Sequence, residues 1–201
     1  MFENLKFAFK TSWLFENKLS LLFLFDSKCS LVLFSAGKEI VRGNAIQSGL
    51  TVGPEYNIRF KIFPTSYSSG WHNIIHFTKG KNWGVSGSRV PAVWAHESLW
   101  AHESLGNFTS RSLRICAEVN DDPDLCFDTK RIPKNGWTFV NTKQELMDGS
   151  YMYKILINDS VVYSVENKSP QTFRNVIAYA SDPWSPAQNG YLRELMYAVG
   201  M

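Results

Sequence analysis

The sequence predicts an all-β protein: an antiparallel β-sandwich of the jelly-roll type, preceded by an N-terminal extension. Apolar and polar side chains alternate with a period of two in several short runs, as in strands that bury one face and expose the other. Clusters of glycine, proline, asparagine, aspartate and serine separate these runs, and no helical period of useful length follows residue 40. This spacing favours a sandwich over a parallel α/β sheet.

The N-terminal segment differs from the rest of the 201-residue chain, because no glycine precedes Gly37 and aromatic residues crowd together there. Its apolar runs, 19–25 and 30–34, are too short to cross about 30 Å of hydrocarbon, so no membrane span is expected. Two interpretations stay open: an atypical secretory leader cleaved after small residues 35–37, or a poorly ordered extension. The expected domains are therefore residues 1–37 and the sandwich, residues 38–201.

The first strand of the sandwich covers residues 56–63, where apolar and polar side chains alternate until Pro64 ends the run. Further strands with the same alternation are predicted at residues 73–78, 113–119, 151–158, 161–165, 173–180 and 191–198.

Two hairpins follow from turn residues. Asn158 and Asp159 tolerate positive φ and lie between two β-branched runs. A second turn centred near Asp121 brings Cys116 and Cys126 opposite one another on adjacent strands, which favours a disulfide, although facing cysteines also stay reduced or hold a metal in some proteins.

N-glycosylation sequons at Asn107, Asn158 and Asn167 fall in predicted turns or strand ends. Together with the disulfide, they indicate a secreted or extracellular glycoprotein. The charge balance, 21 Lys plus Arg against 18 Asp plus Glu, includes no long basic run and argues against a nucleic-acid partner.

Metal ligands are suggested at two places. An identical six-residue unit at 94–99 and 100–105 places His96 and His102 six apart, although a tandem insertion that lengthens a loop explains the repeat better. Carboxylate oxygens of Asp121, Asp122 and Asp124 could bind calcium, or these residues simply form a turn. No other cofactor is expected.

Enzyme motifs are missing. A glycoside hydrolase on this fold needs two carboxylates about 5 Å apart, and the nearest candidates, Glu145 and Asp148, lie before and within a predicted turn, residues 147–150, where such a pair is ordinarily a solvated surface. Gly84-Val85-Ser86-Gly87 mimics a nucleophile elbow only loosely. The sequence therefore favours a protein that is not an enzyme.

Binding is better supported around residues 69–78, where strand alternation places Trp71 and Asn73 on one face and His72 and His76 on the other. Aromatic rings and polar tips on one face suit sugars, although a tryptophan beside a strand is more often core and His76 could be a satisfied core histidine.

Residues 53–60, 69–78 and 88–94, with the hairpin at 153–162 and the closing strand at 190–195, resemble the concanavalin A-like lectin/glucanase superfamily. Within it, laminin G-like and galectin-like extracellular jelly rolls are the most similar. The resemblance covers about residues 41–198 and implies carbohydrate or protein recognition outside the cell.

The predicted function is a non-catalytic extracellular recognition module that binds glycans through a sheet face or rim loops. The alternative is a structural or adhesive module that contacts other extracellular proteins. The candidate ligand-binding residues are Trp71, His76, Asn82, Trp83, Arg89 and Trp184.

Overall fold

The computed structural model describes residues 22–25, 28–96 and 110–200, which contain strands and no helix. The strands are β1 (Leu22–Phe25), β2 (Lys28–Phe34), β3 (Lys38–Glu39), β4 (Ala45–Val52), β5 (Tyr56–Pro64), β6 (His72–Thr78), β7 (Ala92–His96), β8 (Ser110–Val119), β9 (Asp122–Pro133), β10 (Thr138–Met147), β11 (Ser150–Ile157), β12 (Ser160–Asn167), β13 (Phe173–Tyr179) and β14 (Gly190–Val199).

Two antiparallel sheets form the sandwich. The larger has the order β1-β2-β14-β5-β10-β11-β12, with β3 also paired to β14, and the smaller has the order β4-β13-β6-β7-β8-β9. Half of the strand pairings join strands that are distant in sequence, such as β5 with β14 and β4 with β13, as in jelly rolls. The predicted all-β fold class is confirmed, and each predicted strand overlaps an observed one, with ends that differ by at most three residues.

The core lies between the sheets and follows from strand alternation. In β5, the side chains of Ile58, Phe60 and Ile62 are fully buried while the residues between them face outward. β6 departs from this alternation because a register shift against β7 lies between Asn73 and Ile75. Ile74 and Ile75 are therefore both buried in the core, and the strict two-face assignment expected for this strand is wrong.

Tight turns occur where asparagine, aspartate and glycine predicted them. Asn158 and Asp159 have φ values of 49° and 64°, and Asn120 and Asp121 have values of 57° and 61°. Positive φ at both central residues suits a hairpin turn whose twist matches the strands. The second of these turns aligns Cys116 with Cys126, which form the predicted disulfide between β8 and β9.

The N-terminal boundary expected after Gly37 falls between two strands of the larger sheet. β2 pairs with β14, where Phe34 is the partner of Leu195 and belongs to the core. In the described part of the chain, no helix is long and apolar enough to cross a membrane.

Candidate functional site

A concavity of about 240 Å³ opens on the outer face of the smaller sheet. Its floor comes from adjacent strands, since Trp94 on β7 is the register partner of Arg114 on β8, and Ala92 is the partner of Cys116. Loops supply the rim. The residues that line it are Trp71, Asn82, Arg89, Trp94, Arg114, Cys116 and Ser185.

One wall is a stack of aromatic and charged groups around Trp71. The indole of Trp71 lies parallel to the His96 ring with 4.3 Å between centroids, and the Arg114 guanidinium carbon lies 5.1 Å from the indole centroid. Arg114 Nε and Nη2 donate to the two oxygens of Asp128 at 2.8 and 2.6 Å. His96 Nε2 is 2.9 Å from Asp128 Oδ1. Trp71 is held in place yet stays 46% exposed.

The ionised form of Asp128 is stabilised by its hydrogen bonds to this stack. Partial burial raises the pKa of its carboxyl, but hydrogen bonds from Arg114 and His96 outweigh burial and hold the pKa below its ordinary value. The same hydrogen bond raises the pKa of Arg114. The two groups therefore stay ionised at neutral pH and keep Arg114 beside the indole of Trp71.

The opposite wall is built around Arg89. Its guanidinium carbon lies 4.7 Å from the Trp94 ring centroid, Nε donates to the Asn82 carbonyl at 3.0 Å, and Nη1 is 3.0 Å from Asp124 Oδ1. Burial lowers the pKa of Arg89 and nearby Asp124 opposes this effect. Asn82 Oδ1 is buried without a hydrogen-bond partner in the described chain.

His76 does not line the concavity but lies beneath it, fully buried. Its Nδ1 is 2.8 Å from Asp182 Oδ2 and its Nε2 is 2.6 Å from the Ser88 carbonyl oxygen. The rings of Trp94 and Trp184 meet His76 edge-on at 5.5 and 5.6 Å. His76 therefore supports the floor, as the core-histidine interpretation expected.

The structure brings together three of the six candidate residues, Trp71, Asn82 and Arg89. Trp83 is 70% exposed and Trp184 40% exposed, and neither lines the concavity. The candidate set omits Trp94, Arg114 and Ser185. Alternation along 110–119 puts Arg114 on the same face as Cys116. The pairing of β8 with β7, which places both residues near Trp71, cannot be predicted from any local sequence pattern.

The three aspartates considered for calcium have separate partners. Asp121 Oδ1 accepts from Gln171, Asp122 Oδ1 accepts from the Asp124 amide, and Asp124 Oδ2 accepts from the Gly84 amide. Within the described residues, no group of three His, Cys, Asp or Glu side chains is placed to hold a metal ion. His96 contacts Trp71 and Asp128 instead, and His102 lies outside the described residues.

The sequons differ in accessibility. Asn158 is exposed at its turn, whereas Asn107 lies outside the described residues. Asn167 is 4% exposed, and its Nδ2, the atom that would carry a glycan, donates to Gln144 Oε1 at 2.7 Å. Asn167 is therefore unavailable for glycosylation in the folded protein, because strand β12 ends with this side chain turned into a buried network.

A second, more apolar concavity of about 590 Å³ lies between the edge strands β9 and β12. Its lining includes Phe127, Ile132, Val161 and Val162, and Val161 is 55% exposed.

No family model matches the chain, and no curated protein sequence matches it. The solved structures similar to it are jelly-roll sandwich domains. A heptameric SAP-like pentraxin from Limulus polyphemus matches with a TM-score of 0.52 at 12% identity, covering 82% of this chain and 76% of the pentraxin. This likeness supports the jelly-roll fold, the part of the concanavalin A-like resemblance that concerns architecture.

Two further matches are carbohydrate-associated domains. Domain 4 of the GH43 extracellular arabinanase AbnA from Geobacillus stearothermophilus, solved with arabinotriose, is 17% identical with a TM-score of 0.46, covering 86% of this chain and 71% of that domain. The CBM40 of the Ruminococcus gnavus IT-sialidase, bound to α2,3 sialyllactose, is 11% identical with a TM-score of 0.45, covering 84% of this chain and 92% of the module.

Proposed function

We propose that this protein is a non-catalytic extracellular recognition module that binds a glycan in the concavity on the outer face of the smaller sheet. The observation that carries the proposal is the convergence of Trp71, Asn82 and Arg89 with Trp94 and Arg114 in one concavity of about 240 Å³. A space of this size suits one sugar ring rather than a large ligand.

The chemistry of the lining matches that of a sugar, which has apolar ring faces and polar edges. The half-exposed indole of Trp71 offers an apolar surface for the C–H groups of a sugar ring. The Ser185 hydroxyl and the guanidinium groups of Arg89 and Arg114 donate to sugar oxygens. Rigid, already paired arginines lose little entropy when a ligand binds.

The extracellular setting of this proposal is supported by the disulfide between Cys116 and Cys126, because disulfides persist mainly in oxidising compartments. Cys116 also lies in the concavity, where it packs against Ala92 and Trp94. The covalent link therefore stabilises the floor of the proposed binding site.

The experiment is a glycan array with and without calcium, followed by calorimetric titration of the best ligand. We expect Trp71→Ala to weaken binding about tenfold, equivalent to about 1.4 kcal/mol, because the ligand loses its stacking surface. Trp83→Ala is the matched control, since it removes the same side chain from outside the concavity, and it should bind like the wild type.

Unchanged binding in Trp71→Ala, with its fold intact by circular dichroism, would place the ligand elsewhere. A blank array in both conditions would end the glycan proposal. The adhesive alternative would then take its place, since the apolar concavity between β9 and β12 favours contact with a protein.

A further inference from the structure

The outer face of the larger sheet carries cations at its centre. Because β5 and β10 alternate between buried and outward side chains, their outward residues form rows across the sheet. In one row, Lys143 is the partner of both Lys154 and Asn57. In the next, Arg59 lies opposite Asn141 and Met196. In the third, Lys61 lies opposite Phe139 and Arg193. The basic face is defined by Arg59, Lys61, Lys143, Lys154 and Arg193.

The acidic groups among these residues do not neutralise them. Glu145 accepts from Lys143 at 2.7 Å and from Lys154 at 2.9 Å, so that one carboxylate serves two ammonium groups. Glu194 is likewise 2.7 Å from Lys61 Nζ and 3.4 Å from Arg193 Nε.

Arg59 donates to the sulfur of Met196 at 3.2 Å instead of to a carboxylate. On these four described strands, the basic face keeps a surplus of three positive charges. Further carboxylates are Glu39 and Glu166 on the bordering strands β3 and β12, and Glu55 and Asp148 in the loops next to β5 and β10.

Ion pairs restrict the side-chain conformations of Lys143 and Lys154. The side chains of Lys154 and Lys143 are 17% and 22% exposed, and each is tied to Glu145. Burial raises the pKa of Glu145, but the two lysine hydrogen bonds outweigh it and lower the pKa overall, so the carboxylate stays charged. An anion that meets this face finds ordered donors with little conformational entropy left to lose.

Aromatic rings lie at one end of the basic face. Phe63 is the register partner of Tyr191, and its ring lies 5.2 Å from that of Trp137. Arg193 lies 4.1 Å from the Trp137 ring centroid, which joins the aromatic group to the cations. Trp137 and Tyr191 are 38% and 45% exposed. These rings offer stacking surfaces for sugars next to donors for acidic groups.

We propose that the basic face binds an acidic polysaccharide, whose carboxylate or sulfate groups pair with the surplus cations while its terminal ring contacts Trp137 or Tyr191. Four strands at about 4.8 Å spacing give it a width of roughly 15 Å, enough for an extended chain. A nucleic acid fits less well, because the exposed rings of Trp137 and Tyr191 lie at one end, and of the three rows of cations only the row of Lys61 and Arg193 contains a ring, Phe139, whereas base stacking requires rings along the binding surface. This site is distinct from the concavity, which lies on the other sheet.

The test uses the full chain and three probes: polygalacturonate, which carries carboxylates, dextran sulfate, and neutral dextran. We expect the two acidic probes, or one of them, to bind, with weaker binding at about 200 mM than at about 50 mM salt, and neutral dextran not to bind. The acidic probe that binds more tightly identifies carboxylate or sulfate as the preferred group. Failure of both acidic probes to bind would overturn the proposal.

The variant R59Q/K61Q/K143Q removes three cations while each glutamate keeps one partner, Lys154 or Arg193. We expect it to bind the acidic probe about tenfold more weakly. The matched control, K130Q/K168Q/R174Q, removes the same charge from exposed positions off this face and should lose less than about twofold.

Equal losses in the two triple variants, with folds intact by circular dichroism, would overturn the proposal in favour of undirected charge attraction. Tighter binding of single-stranded DNA than of either acidic polysaccharide would also overturn it. Trp71→Ala separates this site from the concavity. If Trp71→Ala abolishes binding of the acidic probe and R59Q/K61Q/K143Q does not, the basic face is not the site, whereas the proposed function stands.

Discussion

Residues of one type have different roles in this protein, and the tryptophans show it best. Trp94 is 4% exposed and underlies the Arg89 guanidinium, whereas Trp83 is 70% exposed on a loop. Trp71 lies between these extremes, because it is 46% exposed while its ring stacks on that of His96. Composition alone does not distinguish these three tryptophans. The exposure and contacts of each depend on the neighbouring strands and loops.

His76 and Asp182 form the most buried polar pair described for the chain, with both side chains fully buried. Both ring nitrogens of His76 face acceptors, Asp182 Oδ2 and the Ser88 carbonyl oxygen. Asp182 Oδ1 also accepts from the amides of Trp184 and Ser185 and so fixes the loop at the rim of the concavity.

Acid should destabilise the protein through Asp182. Burial raises the pKa of Asp182, but the hydrogen bonds from His76 and the amides hold the pKa below its ordinary value of 3.8. A lowered pKa in the folded state contributes stability that is complete above the ordinary pKa and is lost as the pH falls through the folded one. We expect the free energy of unfolding, measured in urea, to fall as the pH drops below about 4.

Asp182→Asn should remove that part of the pH dependence and cost about 3 kcal/mol at pH 7, because a neutral amide replaces the carboxylate that pairs with the buried ring of His76. Asp159→Asn, in an exposed turn that asparagine also suits, is the control. An Asp182→Asn protein that loses as much stability in acid as the wild type would contradict this account.

At the scale of elements, the strand β2 matters most, because it lies in the segment that the sequence separates from the domain. It pairs with β14, and Phe34 at its end is 7% exposed in the core. No strand is predicted over residues 30–34, because secretory leaders and buried strands share high hydrophobicity. The pairing of this run with β14, about 160 residues away, is visible only in the tertiary structure.

Phe34→Ala tests whether this segment belongs to the sandwich. Loss of a buried aromatic ring should cost about 3–5 kcal/mol, measured by urea unfolding of the full chain. Val41→Ala, at a position that is 52% exposed, should change stability by less than about 0.5 kcal/mol. A neutral Phe34→Ala would mean that the domain folds independently of residues 1–37.

At the scale of the whole molecule, the two sheets present two unlike outer faces. The smaller sheet carries the concavity with its disulfide floor, and the larger carries the basic face. Because the core joins the sheets, loosening one sheet lowers the stability of the whole domain. The disulfide therefore stabilises the whole domain as well as the floor of the concavity.

Reducing Cys116–Cys126 should lower the free energy of unfolding by about 3 kcal/mol, as expected for a bridge that closes a loop of 10 residues. The measurement is urea unfolding with and without dithiothreitol. The double variant C116A/C126A should be as unstable as the reduced protein and indifferent to the reductant. A wild type whose stability does not depend on the reductant would show that the bridge is not formed in solution.

The sequence by itself determined what depends on near neighbours. Alternation placed the strands, Asn-Asp pairs set the turns, and the turn at Asp121 aligned the two cysteines. Only the tertiary structure decided which of Trp71, Trp83 and Trp184 reach the concavity, why Asn167 is unavailable, and which cations share a face. The physical reason is that these outcomes depend on register between strands far apart in sequence, and a shift of one residue reverses every side chain.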